Sequence, residues 1–191
     1  MRNRSSRGFT LVELLIVIIV IAILAAITLV VYNGTQARAR DTDRYNDVKS
    51  IIDALSIYRS DKGAYPSAAT MGLSDGNIGS CSLPTGYSYS VATNSSWLQE
   101  LTSKGYLDKQ LTPPTNNCSR YYSYTHSTTT TQYGCSYGIG FYILQVQGAE
   151  GSFTPSQALT SAPASCSSWP ASLISSSSSW TFIGFDDGNN H

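Results

Sequence analysis

From Leu14 to Val31 every residue but Thr28 is apolar, and this run limits what the rest of the chain can be. As a helix, Phe9 to Val31 would be ~34 Å long at about 1.5 Å per residue, enough to cross the hydrocarbon core of a bilayer. A cleaved secretory signal has a shorter apolar region, of roughly 7 to 15 residues, ending at small side chains. "AILAA" offers only a weak match to such a site, so the length predicts a retained anchor. Arg2, Arg4 and Arg7 precede the run and would hold the N-terminus in the cytoplasm, a bias that Arg38, Arg40 and Arg44 beyond it weaken.

One carboxylate interrupts this stretch: between Arg7 and Arg38, Glu13 is the only charged side chain. An acidic residue at the centre of a membrane helix costs about 2.5 to 3.5 kcal/mol on insertion scales, and less near an end. Taken alone, a polar residue tolerated at the lipid interface and a functional one weigh equally. If the chain were cut after Gly8, Phe9 would carry a new amine four residues before Glu13, on the same face of a helix. That amine would have a pKa near roughly 7.7 to 8.0. A cation and an anion would then share apolar surroundings, which is unfavourable in a lone subunit unless they pair well. Packing many such helices together supplies the partners.

A short basic leader ending in Gly8, followed by "FTLVELLIVIIVIAILAA", resembles the class III signal of type IV pilins and type II secretion pseudopilins. The resemblance implies that a membrane prepilin peptidase cuts between Gly8 and Phe9 and methylates the Phe9 amine. It also implies that Glu13 neutralises the terminal amine of a neighbouring subunit as the helix enters a filament. Further implied partners are copies of the chain itself, membrane lipid before assembly, and an inner-membrane platform driven by a cytoplasmic ATPase. No cofactor is expected.

Beyond the span, "RARDTDRYNDVKSIIDALSIYRSDKG" places Tyr45, Val48, Ile51, Ile52, Leu55 and Tyr58 at spacings of three and four, which predicts an amphipathic continuation of the helix. Ile57 points away from that stripe and is the candidate for a subunit contact. Asn33-Gly34 is the soft point between the halves, read as a bend or a melted turn, since Gly costs ~1 kcal/mol relative to Ala in a helix. Gly63 suits a C-cap and Pro66 blocks continuation. Residues 67 to 96 read as a loop over the head, and "SWLQELTSKGYLD" as a short helix ending at Gly105. "YYSYTHS" and "YGIGFYILQVQG" read as antiparallel strands joined by a Thr-rich turn, the second buried on both faces. Trp180, Phe182, Ile183 and Phe185 suggest a last strand after a serine run that reads as a flexible polar loop.

The expected fold class is therefore α+β and pilin-like: a long N-terminal α-helix against a small antiparallel β-sheet. The expected organisation is a leader at 1–8, a hydrophobic helix at 9–32, its amphipathic continuation at 33–62 and a head at 63–191. Within the head, a loop and short helix occupy 63–117, strands 118–150 and a Ser-rich region 151–191. Two features depart from the family pattern: the hydrophobic helix lacks the proline of many pilins, and no clear acidic loop precedes the strands.

All four cysteines follow the span, which fits an oxidising compartment. Of the three connectivities open to them, Cys118 with Cys135 across the predicted hairpin is preferred, leaving Cys81 to join Cys166. A zinc site is disfavoured, with no CxxC pair and only His126 and His191 to add. His126 reads as an exposed polar side chain, and "DDGNN" as a solvated terminus rather than a cation loop. There is no phosphate loop, GxSxG elbow or readable acid pair, so no enzyme activity and no catalytic or metal residues are expected. Lys plus Arg balance Asp plus Glu at 12 each, and loss of Arg2, Arg4 and Arg7 leaves the mature chain acidic, so a charge-driven grip on nucleic acid is not expected.

The resemblance implies a structural subunit of a surface filament serving adhesion, motility or DNA uptake, held in the inner membrane with its head outside the cytoplasm before assembly. The alternative within the family is a pseudopilin of a type II secretion system. From another class comes a monomeric membrane-anchored surface protein that holds a ligand with its sheet or aromatic tail. An ordinary secreted protein, cut near Ala25-Ala26, would begin close to Ile27.

Overall fold

A computed structural model describes residues 9–72, 77–78, 81–83, 86–90, 96–114, 116–119, 121–128, 132–135, 140–151, 153–164 and 166–186. The leader with Gly8, the residues Asp187 to Asn190 of "DDGNN" and His191 lie outside them. Helix α1 (Leu11–Lys62) includes Asn33-Gly34 without a break in helical structure. A helix of 52 residues absorbs the local cost of one glycine, since propagation adds a hydrogen bond per residue once the helix is formed. The chain divides into two compact units, 1–37 and 38–191.

In the first unit the helix has no core to join: the described side chains of residues 9–28 are all exposed, including Phe9, Leu14, Ile18 and Leu24.

In the second unit α1 forms one wall of a core. Val48, Ile51 and Leu55 are fully buried, while Tyr45, Ile52 and Tyr58 pack partly buried beside them. Ile57 is exposed, as its position off the stripe predicts. The helix stops where Gly63 adopts a left-handed φ of 83° and donates its N–H to the Arg59 carbonyl at 2.7 Å. A residue with a Cβ would be strained there.

The main sheet is antiparallel, its strands in order β3 (Ser88–Tyr89), β4 (Tyr121–Ser127), β5 (Phe141–Gln147) and β6 (Ser179–Phe185). Its long members are β4, β5 and β6, each of seven residues. Tyr122 faces Val146 and Tyr124 faces Leu144 across β4 and β5, and Leu144 faces Phe182 across β5 and β6. Because side chains alternate along a strand, Tyr122, Tyr124, Tyr142, Leu144, Val146, Trp180 and Phe182 share one face and join the core with Val48, Ile51 and Leu55. The expected burial of β5 on both faces holds: six of its seven residues are buried. The expected last strand is β6.

Residues 67 to 96 contain more structure than a loop. A small pair, β1 (Asn77–Ile78) with β2 (Cys81–Ser82), precedes β3 (Ser88–Tyr89), which adds to the edge of the main sheet opposite Ser123 and Tyr124. Two-residue strands are too short to leave a periodic signature. Helix α2 (Gln99–Ser103) is the expected short helix, with Leu101 buried and Gly105 in the left-handed region just after it. Trp97 anchors it, donating its indole N–H to the Leu111 carbonyl at 2.8 Å.

The serine run is not a flexible loop. Ser176 N–H donates to the Ser179 carbonyl at 2.7 Å, and Thr181 N–H donates to Ser175 Oγ at 2.8 Å, so the serines make the turn that feeds β6. Upstream, Trp169 and Leu173 pack with Phe141, Ile143 and Phe185 on the outer face of the sheet. This segment covers the face that α1 does not.

The disulfides also differ from the expected pairing: they join Cys81 to Cys118 and Cys135 to Cys166. Cys118 and Cys135 do not flank a hairpin but stand beyond opposite ends of β4, whose seven residues span about 23 Å at roughly 3.3 Å each. A disulfide needs Cα atoms within about 7 Å. Cys135 instead follows a 3-10 turn (Gln132–Gly134) and meets Cys166 with Cα atoms 3.8 Å apart, while Cys81 in β2 meets Cys118 at 5.1 Å.

Candidate processing and assembly site

Helix α1 begins with a capping box that the sequence reading did not single out. Thr10 donates its backbone N–H and its hydroxyl to Glu13 Oε2, each at 2.8 Å, and Glu13 N–H donates back to Thr10 Oγ1 at 3.2 Å. These bonds satisfy groups that a helix start otherwise leaves without partners. The Thr-x-x-Glu spacing was the signal that could have revealed it. As a consequence Phe9 lies just outside the helix rather than on one of its faces, 79% exposed, next to the position where the leader joins. Phe9, Thr10 and Glu13 therefore stand together at the head of a helix whose described side chains are exposed as far as residue 28. A continuous exposed apolar surface of this kind requires lipid or other protein.

Within the second unit, the first turns of α1 carry an ion network that periodicity did not anticipate. Asp41 and Arg44 are fully buried, three residues apart, with Arg44 Nη1 on Asp41 Oδ1 at 2.7 Å. Glu150, just past β5, receives Arg40 Nε and Nη2 at 2.6 Å each and Arg44 Nη2 at 3.3 Å. Its own N–H donates to Asp41 Oδ1 at 2.9 Å. The two arginines and two acids tie α1 to the end of β5.

His126 is not an exposed polar residue. Its side chain is 3% exposed and its Nε2 stands 3.2 Å from Asp186 Oδ2. Asp186 also accepts the Tyr65 N–H at 3.2 Å, and its carbonyl accepts Arg59 Nε at 2.6 Å. Asp186 therefore locks the end of β6 to the end of α1. Among the described residues, no group of three or more His, Cys, Asp or Glu side chains is placed to hold a metal ion.

Comparison with known proteins locates the similarity at this end of the chain. A family model of the prokaryotic N-terminal methylation motif matches residues 3–29. The chain is 37% identical over 67 residues to the type II secretion system core protein G of Pseudomonas aeruginosa, covering 35% of this chain and 47% of that protein. It is 44% identical over 66 residues to the fimbrial protein EcpC of Eikenella corrodens, covering 35% and 43%. The similarity thus spans less than half the length of these two relatives. A longer match, 34% identical over 92 residues, relates it to the type IV wide pilus major component PilA4 of Thermus thermophilus, with 48% of this chain and 68% of that protein covered. No solved structure matches significantly.

Proposed function

The chain belongs to the family of type IV pilins and type II secretion pseudopilins, and from that premise we propose that it is a prepilin whose mature form is the structural subunit of a helical surface filament. The observation that carries this reading is the exposed apolar first part of α1, whose only charged side chain before Arg38 is Glu13, in a chain whose other unit closes a core. Prepilin peptidase cuts between Gly8 and Phe9 and methylates the Phe9 amine. The subunit then waits in the inner membrane, its head outside the cytoplasm, where oxidation closes both disulfides. An assembly platform and its ATPase transfer it from lipid into the filament. There the apolar helices pack on one another, and Glu13 pairs with the amine of a neighbouring Phe9 as both leave water. No cofactor takes part.

A pseudopilin of a type II secretion system is the second reading, favoured by the relatives named as its core protein G. The same processing serves both. A pilus is preferred because the match to PilA4 covers more of this chain, 48% against the 35% covered by the match to core protein G.

Mass spectrometry of the N-terminal peptide from protein sheared off cells tests the reading. The expected peptide begins at N-methylated Phe9. An intact Met1, or a start near Ile27, would replace the filament subunit with an anchored or secreted domain.

A further inference from the structure

A cleft of about 420 Å³ opens on the outer face of the sheet, away from the core that α1 shares. Its floor is formed by Ser123 of β4 with Gln145 and Gln147 of β5, side chains that alternate with the core-facing ones. One wall is Tyr87, Tyr89 and Tyr121, packed around the Cys81 disulfide; the other is Tyr133 and Leu173, packed around the Cys135 disulfide. The walls meet where the Tyr87 and Tyr133 hydroxyls hydrogen-bond at 3.0 Å. Each wall is thus stapled on its own account, and the space between them is a built concavity of the size that small ligands occupy.

The chemistry of the lining is narrow. It holds four tyrosines, two glutamines and two serines, with Tyr87, Tyr121, Tyr133 and Gln147 the more open of them and Tyr89, Ser123 and Gln145 largely buried, and no charged side chain among the described residues. Tyr89 and Tyr121 stand edge to face at 5.4 Å, and Tyr133 is braced by Trp169 at 5.4 Å. The Gln145 amide is fixed by donating to the Ser172 carbonyl at 3.1 Å and to Thr181 Oγ1 at 3.2 Å. Rigid aromatic faces beside neutral amides and hydroxyls match a pyranose ring, whose flat C–H face stacks on tyrosine and whose hydroxyls pair with amide and hydroxyl groups. A phosphate or an acidic sugar would find no counter-charge here. A proline-rich segment would use the rings but leave the Gln147 amide idle. The geometry points to a binding site for a neutral saccharide. Burial pushes the hydroxyls of Tyr87, Tyr89 and Tyr121 above the usual tyrosine range, so they remain neutral partners in alkaline as well as neutral media. The site belongs to the head and does not depend on whether the chain polymerises.

The test is saturation-transfer NMR on the full chain in a zwitterionic detergent without a sugar headgroup, using maltose, lactose, 3′-sialyllactose and a proline-rich peptide as probes. Saturable millimolar binding of maltose or lactose is expected, weakened roughly fivefold or more by Gln147→Ala with the unfolding midpoint unchanged. Should Gln147→Ala fail to fold, Ser172→Ala carries the same reading. No saturable binding of either neutral disaccharide overturns the inference. So does preference for sialyllactose or the peptide, or an unchanged affinity in the folded variant.

Discussion

At position 13, glutamate and glutamine differ by one charge yet offer Thr10 the same kind of acceptor oxygen, which separates capping from charge pairing. Glu13→Gln keeps the capping box, whereas Glu13→Val also loses the two bonds from Thr10 to the residue-13 side chain, leaving only the Thr10 Oγ1 cap on the residue-13 N–H. If pairing with a neighbouring amine drives assembly, both variants are cleaved at Gly8 but yield few filaments in the sheared fraction. Normal filament yield from the glutamine variant alongside loss in the valine variant would assign Glu13 to the cap instead. Residue-level legibility was uneven. Glu13 stood out because nothing near it in sequence shares its polarity. His126 could not be placed, because its partner Asp186 comes from the end of another strand, 60 residues later.

Among the elements, α1 shows how a periodic stripe understates what a helix buries. Tyr45 to Tyr58 follow the apolar rule, but one turn earlier the buried pair is Asp41 and Arg44. Their burial is tolerated because they pair with each other and because Glu150 and its backbone N–H add a further bond to each. Asp41→Ala leaves the Arg44 charge short of its nearest partner and should destabilise the head by ~3 to 5 kcal/mol. Arg40→Ala, at a side chain 32% exposed, should cost much less. Urea unfolding followed by tyrosine and tryptophan fluorescence distinguishes them, and equal small losses would remove the network from the account of stability. Charges in a helix pattern read as a solvated face, so only the arrival of Glu150 reveals them as interior.

For the whole head, the sheet is closed on one side by α1 and on the other by the C-terminal segment, which the Cys135–Cys166 disulfide holds in place. Replacing both of these cysteines with serine should cost ~2 to 4 kcal/mol. Amide exchange should rise in residues 166–174 and at the outer-facing rim, while the β4–β5 pairing stays protected. Equal loosening of β4 and β5 would show that the disulfide supports the entire sheet rather than its cover. Conversely, joining Cys118 to Cys135 is not expected under any oxidising condition that preserves β4.

The sequence by itself determined the apolar helix, its single carboxylate, the helix stop at Gly63, the short helix and the three long strands. Each of these is a local pattern: an unbroken apolar run, a spacing of three and four, an alternation, a turn residue. Tertiary structure alone decided the cysteine partners, the two-residue strand at the sheet edge, the buried Asp41–Arg44–Glu150 network and the fate of the serine run. Those depend on which distant segments meet. Chain separations of 31 residues between Cys135 and Cys166, or 106 between Arg44 and Glu150, leave no trace in any local window. The tyrosine cleft belongs to the same class, since its walls are brought together only when both faces of the sheet have been covered.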